Sequence, residues 1–175
     1  MTVSPRRLLI AFMVGTAACQ PATTRPTVTP LPEALGSELR LTVPEATRRL
    51  AESLRADSLP MWTVRLRDGY LETRWFETAA GHRTGRSRPL GPGTVKIRAW
   101  ADPARPGSTQ LTVETLYRPT TDPSLPEREL ERQVPPDHPV ARKVAAVLVR
   151  LVQRYGTPPP PAAQQAAPTP EEGDE

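Results

Sequence analysis

Proline sets where this chain can fold. A proline lacks the backbone N–H and fixes φ, so helix interiors and central strands exclude it. The 23 prolines among 175 residues gather in three places. Residues 20–37 carry Pro21, Pro26, Pro30 and Pro32 among threonines. With Cys19 they read as a tether, residues 19–37, that favours polyproline II over burial. Residues 157–175 hold Pro158 to Pro161, an Ala/Gln/Pro stretch and the acids Glu171, Glu172, Asp174 and Glu175. They read as a disordered, acidic tail. Residues 119–139 are also Pro-rich, but lie inside the remainder. Residues 38–156 are left as one domain of ordinary size.

Within that domain the hydrophobic period switches between two and three to four. Leu39, Leu41 and Val43 alternate with Glu38, Arg40 and Thr42, which predicts a short half-buried strand. Thr42-Val43-Pro44-Glu45 has capping-box form, with Glu45 reaching back to the Thr42 N–H. Ala46, Leu50 and Leu54 then give the apolar stripe of a helix ending near Ala56, before Pro60. Asp68-Gly69 predicts a type I′ hairpin turn. A two-residue loop there pairs Leu66 with Leu71, Val64 with Thr73 and Trp62 with Trp75, and sets Arg65 against Glu72. Val95, Ile97 and Ala99 alternate with Lys96, Arg98 and Trp100; Leu111, Val113 and Thr115 answer them after a turn over 102–108. A last helix is expected from Asp137 or His138, with Pro139 in its first turn. Val140, Val144, Val147, Leu148, Leu151, Val152 and Tyr155 form its apolar stripe, and Gly156 is expected as a left-handed C-cap. The fold class is α+β: an antiparallel sheet of four to five strands, order β-α-β-β-β-β-α, with two helices on one face.

The N-terminus reads as an export signal. Arg6 and Arg7 precede an apolar run, Leu8 to Ala18, which at about eleven residues is too short to span a bilayer, where about twenty are needed. Thr16-Ala17-Ala18-Cys19 resembles the bacterial lipobox, in which small residues precede a cysteine that becomes acylated. Thr16 stands where a large aliphatic residue is usual. The alternative is an ordinary signal peptide, residues 1–18, with an incidental cysteine after it. Cys19 is the single cysteine, so once acylated it leaves no thiol for a disulfide or a nucleophile. Several acyl chains anchor stably where one is marginal. Gln20 follows where an aspartate would imply inner-membrane retention, so the resemblance points to the outer membrane, facing the periplasm.

Charge refines this. Residues 19–156 hold 21 basic and 15 acidic residues, a balance of +6. An exported basic domain has an anionic lipid or polymer as its more natural attraction than nucleic acid. The loop Gly81-His82-Arg83-Thr84-Gly85-Arg86-Ser87-Arg88 concentrates that charge. His82, Arg83, Arg86 and Arg88 are candidate contacts for lipid phosphates or cell-wall carboxylates; the plainer reading is a solvated connection between hairpins.

The lipobox, the Pro-rich tether and the strand–helix order together resemble the BamC-like domains of lipoproteins that serve the outer-membrane β-barrel assembly machinery. Val64 to Trp75, an acidic-Gly turn leading to a strand that ends in Trp, is the local stretch of likeness. The resemblance implies a helix-grip-like fold and an envelope protein partner. This chain has one such domain where the family has two, and no functional residue carries over by motif.

Catalytic chemistry is sparse. The only histidines, His82 and His138, lack a His-x₃-His spacing or a cysteine companion, so no metal or cofactor is expected. Asp137/His138 is conceivable as an acid–base pair, but helix-start capping explains both. No Ser sits in a nucleophile elbow. Trp100 and Leu116 are candidate exposed contacts on the outer face of the sheet, unless residues 117–133 strap across them. The expected function is a non-catalytic, membrane-anchored envelope module that binds protein, in outer-membrane protein assembly. The alternative is a binder of anionic cell-wall polymer or lipid through the basic loop.

Overall fold

The structure is a computed structural model that describes residues 25–79, 84 and 90–156. The chain runs β1 (Leu35–Leu39), α1 (Val43–Ala56), β2 (Met61–Arg65), β3 (Tyr70–Thr73), β4 (Phe76–Glu77), β5 (Thr94–Pro103), β6 (Thr109–Tyr117), α2 (Glu127–Leu130), β7 (Arg132–Gln133) and α3 (Pro139–Tyr155). All ladders are antiparallel. The main order is β1-β6-β5-β3-β2, with β4 beside β5 and β7 beside β6. The protein is thus α+β, with α1 and α3 packed on one face of the sheet. Leu39, Leu71, Val95, Ile97, Ala99, Leu111 and Val113 from the strands meet Ala46, Leu50, Leu54, Val144, Val147 and Leu151 from the helices.

The long hairpin β5–β6 has the register its alternation predicts. Ala99 pairs with Val113 and Arg98 with Glu114, and every second residue points to the helices. The first hairpin differs. Arg65 pairs with Tyr70, Val64 with Leu71 and Thr63 with Glu72, so the loop has four residues, Leu66 to Gly69, rather than two. Only Gly69 has positive φ, at 61°; the turn is not type I′. The cause is tertiary. The Gly69 carbonyl accepts from Ala101 N–H at 2.7 Å. A Cβ on Gly69 would come within 2.8 Å of Val43 Cγ1 and closer still to the Ala101 carbonyl oxygen. The offset is two residues, so Val64 and Leu71 keep their expected face. Trp62 falls on a bulge between Met61 and Thr63 and stands exposed under the Arg74 guanidinium, not opposite Trp75.

The first strand also differs. It begins at Leu35, within the stretch read as tether, and ends at Leu39. Leu41 and Val43 belong to the approach to α1, where Val43 is already helical. At that start the Thr42 hydroxyl donates to Glu45 Oε2 at 2.9 Å instead of capping a backbone N–H. Gly156 is extended, at φ −65° and ψ 156°, not left-handed. Its N–H donates to the Val152 carbonyl at 2.7 Å, and it bridges Leu39 of β1. A Cβ there would crowd Val152, so the position favours glycine for space and not for a left-handed backbone.

The opposite face of the sheet is covered. α2 and β7 lie in the Pro-rich strap, where Val134 N–H donates to the Thr115 carbonyl at 2.8 Å. Residues 25–34 have no regular structure but are bonded down. Arg25 pairs with Asp102 at 2.6 Å, the Thr29 carbonyl accepts from Arg128, and Leu31 N–H donates to Glu114. Among the described residues no helix is long and apolar enough to cross a membrane.

Candidate binding site

The strap and the incoming N-terminal segment leave a cleft between them at the start of α3. Its volume is about 680 Å³, within the range of ligand and peptide pockets. Leu31, Pro32 and Leu35 form one wall, Val134, Pro135 and Pro136 the other, and Ala141 and Ala145 the floor. The local sequence explains the hollow. Pro135 and Pro136 offer no N–H, so β7 stops after two residues. His138 caps α3: its Nδ1 accepts from Val140 N–H at 3.2 Å. Ala141 and Ala145, one turn apart, present methyl groups where a larger residue would fill the space. Two charges stand in the apolar lining, Glu33 and Arg132. Arg132 Nη1 donates to the Glu129 and Glu131 carbonyls at 2.7 and 2.8 Å. The Gln133 side-chain oxygen accepts from Thr115 N–H at 3.2 Å.

Behind the cleft, a four-residue charge cluster clamps the strap to the sheet. Arg98 grips Glu131 with both terminal nitrogens, at 3.0 and 3.3 Å. Arg128 grips Glu114 likewise, at 3.0 and 2.7 Å. Cross-contacts close the square: Arg98 to Glu114 at 3.5 Å and Arg128 to Glu131 at 3.2 Å. Arg98, Glu114 and Glu131 are buried, and Arg128 is partly so. Burial disfavours the Arg98 charge, yet Glu131 and Glu114 outweigh it and hold its pKa above the ordinary arginine value. The same balance, through Glu114 and Glu131, applies at Arg128. Two charges of each sign make the cluster neutral as a whole. Nearby, buried Arg118 lies over the Trp75 ring, 4.7 Å from its centre. Its Nη2 is 2.8 Å from Glu127 Oε2 but off the donor direction, an ion pair without a hydrogen bond.

The expected site residues divide sharply. Trp100 and Leu116 are not exposed: their relative exposures are 1% and 0%. The segment 25–31 is fixed at Asp102 and at Glu114, the cross-strand partner of Arg98. Trp100 lies between Asp102 and Arg98 on that face, beneath the crossing chain. Leu116 sits where β6 pairs with β7, opposite Gln133. Both are core of the second face. His138 has both ring nitrogens engaged, Nδ1 at the helix cap and Nε2 on the Pro92 carbonyl at 3.0 Å. It serves as the N-cap of α3. Cys19, His82, Arg83, Arg86 and Arg88 lie outside the described residues, as does the 157–175 tail. Within that loop Thr84 is described, its N–H donating to the Trp75 carbonyl at 3.1 Å. The cleft residues were not foreseen from sequence, although the Ala141/Ala145 pair after Pro135-Pro136 is a readable sign of space beside a helix. Arg98 opposite Glu114 was also readable once the β5–β6 register is set.

Tyr70 packs against Trp100, ring centres 6.1 Å apart, and its hydroxyl donates to Glu72 Oε2 at 2.9 Å. Burial first, then the Glu72 charge, push its phenol pKa well above the usual value of about 10. The protonated phenol is favoured by folding. That contribution is complete below the ordinary pKa and is lost as pH rises through the higher folded value. A spectrophotometric titration of the parent minus that of Tyr70→Phe should therefore show no phenolate step near pH 10, and should show one only as the fold is lost. A separate step near 10 in the intact fold would refute the assignment.

No protein-family model matches the chain, and no characterised protein shows significant sequence similarity to it.

Proposed function

We propose that this chain is an exported module of the bacterial envelope, anchored through acylated Cys19, that binds a protein partner without catalysis and serves outer-membrane protein assembly in the manner of BamC-like lipoproteins. The apolar cleft at the start of α3 carries the reading. Its lining of proline, leucine and alanine, with Glu33 and Arg132 to orient a guest, suits an extended or helical protein segment. The geometry of the leash supports it. Arg25 is fixed on the domain, six residues after Cys19, and six extended residues reach at most about 20 Å. An acylated Cys19 therefore holds the domain close against the bilayer, with little freedom to turn away. That placement suits a module that meets its partner at the membrane.

The test is photo-crosslinking in cells from a reactive side chain placed at Ala145 in the cleft, and, for comparison, at Trp62 on the far edge. A discrete protein adduct from position 145 and none from 62 is expected. Absence of any protein adduct at 145, or the same adducts at both positions, would contradict the proposal.

A further inference from the structure

α3 carries four basic residues, Arg142, Lys143, Arg150 and Arg154, and no acidic one. All four are exposed. With about 3.6 residues per turn they are not spread evenly around the helix. Lys143, Arg150 and Arg154 form one stripe on the side of α1, where Arg150 and Lys143 both reach Asp57. Ala145, Val149 and Val152 form the other stripe on the side of β1, where they line a groove with Leu35, Gly36 and Ser37. Arg142 stands between the two.

Little of this charge is neutralised within the fold. Among the described residues only Arg150 of the four pairs with a carboxylate, that of Asp57 at 2.7 Å. Lys143 donates to the Asp57 carbonyl at 3.4 Å. Arg154 and Arg49 of α1 both lie over the Tyr155 ring, 5.6 and 6.0 Å from its centre. α1 exposes Arg48, Arg49 and Arg55 against Glu45 and Glu52. The outer face of the helix layer is therefore net positive. Two large apolar residues stand in it, Val149 and Val152, 54% and 41% exposed. The groove beside them holds about 300 Å³ and has an uncharged lining.

The charge selects what such a face can meet. A second copy, related by a two-fold axis, would set one basic stripe against another, and like charges oppose that contact. An apolar stripe beside a basic one is the pattern of a helix that lies in a membrane interface. Arginine and lysine stems cover apolar surface there while their heads reach phosphates. The place of α3 in the fold agrees. Gly156, at its end, bridges Leu39, Leu39 pairs with Thr109, and Thr109 pairs with Pro103. Arg25 is held at Asp102, one residue away. The last turn of α3 and the chain arriving from Cys19 thus meet the domain at the same end of the sheet.

We propose that the exposed face of α3 is a lipid-binding surface that lies on an anionic bilayer. Val149 and Val152 enter the headgroup layer, and Arg142, Lys143 and Arg154 meet lipid phosphates. The choice of a bilayer over another polyanion rests on the anchoring proposed above. The contact itself needs no acyl chain, so the two claims fail separately. An anchor sets only the distance from the membrane, whereas α3 sets which side of the domain faces it. The 680 Å³ cleft shares Leu35 and Ala145 with the groove beside α3, so its mouth is then held at the lipid surface.

The test uses the full chain with Cys19→Ser and a nitroxide on Val149→Cys, mixed with vesicles of phosphatidylglycerol and phosphatidylcholine in equal parts. The label should become shielded from a water-soluble relaxant and accessible to dissolved oxygen. On phosphatidylcholine alone it should stay in water, as should a label on Thr120→Cys in the strap with either lipid. Arg142→Glu with Arg154→Glu should weaken the partition of the Val149 label at least about 25-fold, taking about fivefold for each cation lost from an anionic surface. Raising the salt should release the parent as well, a readout that needs no substitution. A label at 149 that stays in water on the anionic vesicles, as it would if residues 8–18 alone entered them, would overturn the proposal. So would shielding that is equal with both lipids, that extends to position 120, or that survives both the double substitution and high salt. Shielding at 149 without vesicles would assign the face to a second copy and overturn it too.

Discussion

Replacing Glu114 by alanine is expected to cost about 3–5 kcal/mol of folding free energy, the cost of breaking a buried ion pair from one side. Glu114 accepts from Arg128 with both oxygens, contacts Arg98 and receives the Leu31 N–H. Its loss leaves two guanidinium groups facing one carboxylate, and unfastens the N-terminal segment from the sheet. Domains of this size are stable by only about 5–15 kcal/mol, so the change is a large share. Denaturant unfolding followed by tryptophan fluorescence measures it. A loss below about 1 kcal/mol would place Glu114 in the range of a solvated surface pair, contradicting its burial. Removing Arg98 and Glu131 together, by Arg98→Met with Glu131→Leu, is expected to cost less than removing Glu131 alone, because no unpaired charge remains.

The second large effect is at Trp100. Trp100→Ala should cost about 3–5 kcal/mol, the usual range for emptying a buried aromatic site. The indole packs against Tyr70 on the face that segment 25–31 crosses, and that segment is fastened at Asp102, Arg128 and Glu114. The same variant should raise hydrogen exchange at the Leu31 amide. Glu114 and Trp100 share that covering segment, so their combined cost should differ from the sum by more than about 0.5 kcal/mol, the margin for independent sites. A Trp100→Ala protein with unchanged unfolding midpoint would mean the second face is open to water.

These two residues mark where the sequence was legible and where it was not. The β5–β6 hairpin reads correctly because both strands alternate strictly, and the pattern of period two then dictates face and register. The same pattern hides the second face. Lys96, Arg98, Trp100, Glu114 and Leu116 look like a solvent side, since charges and single apolar residues share it. What covers Arg98, Trp100, Glu114 and Leu116 comes from the Pro/Thr segment near residue 30 and from the strap near residue 130, through contacts between residues 14 to 99 positions apart. Local composition does not encode such pairings. β1 was displaced for a related reason. Leu35-Gly36-Ser37 has weak strand preference and becomes a strand by pairing with Val113, Thr112 and Leu111. Asp68-Gly69 suggested the tightest turn, but the approach of Gly69 to Ala101 and Val43 selected a four-residue loop. Both helices were legible because their stripes persist for several turns. The cleft was not, because a hollow arises from the placement of three separate segments.

The claim that most of the functional reading depends on is that Cys19 anchors the protein in a bilayer. Intact-mass analysis of the protein extracted from its native membranes tests this most directly. The expected product begins at Cys19 and carries acyl chains, and a Cys19→Ala chain carries none and leaves the membrane fraction. A parent chain of unmodified mass at Cys19, or one that still holds residues 1–18, would contradict the account.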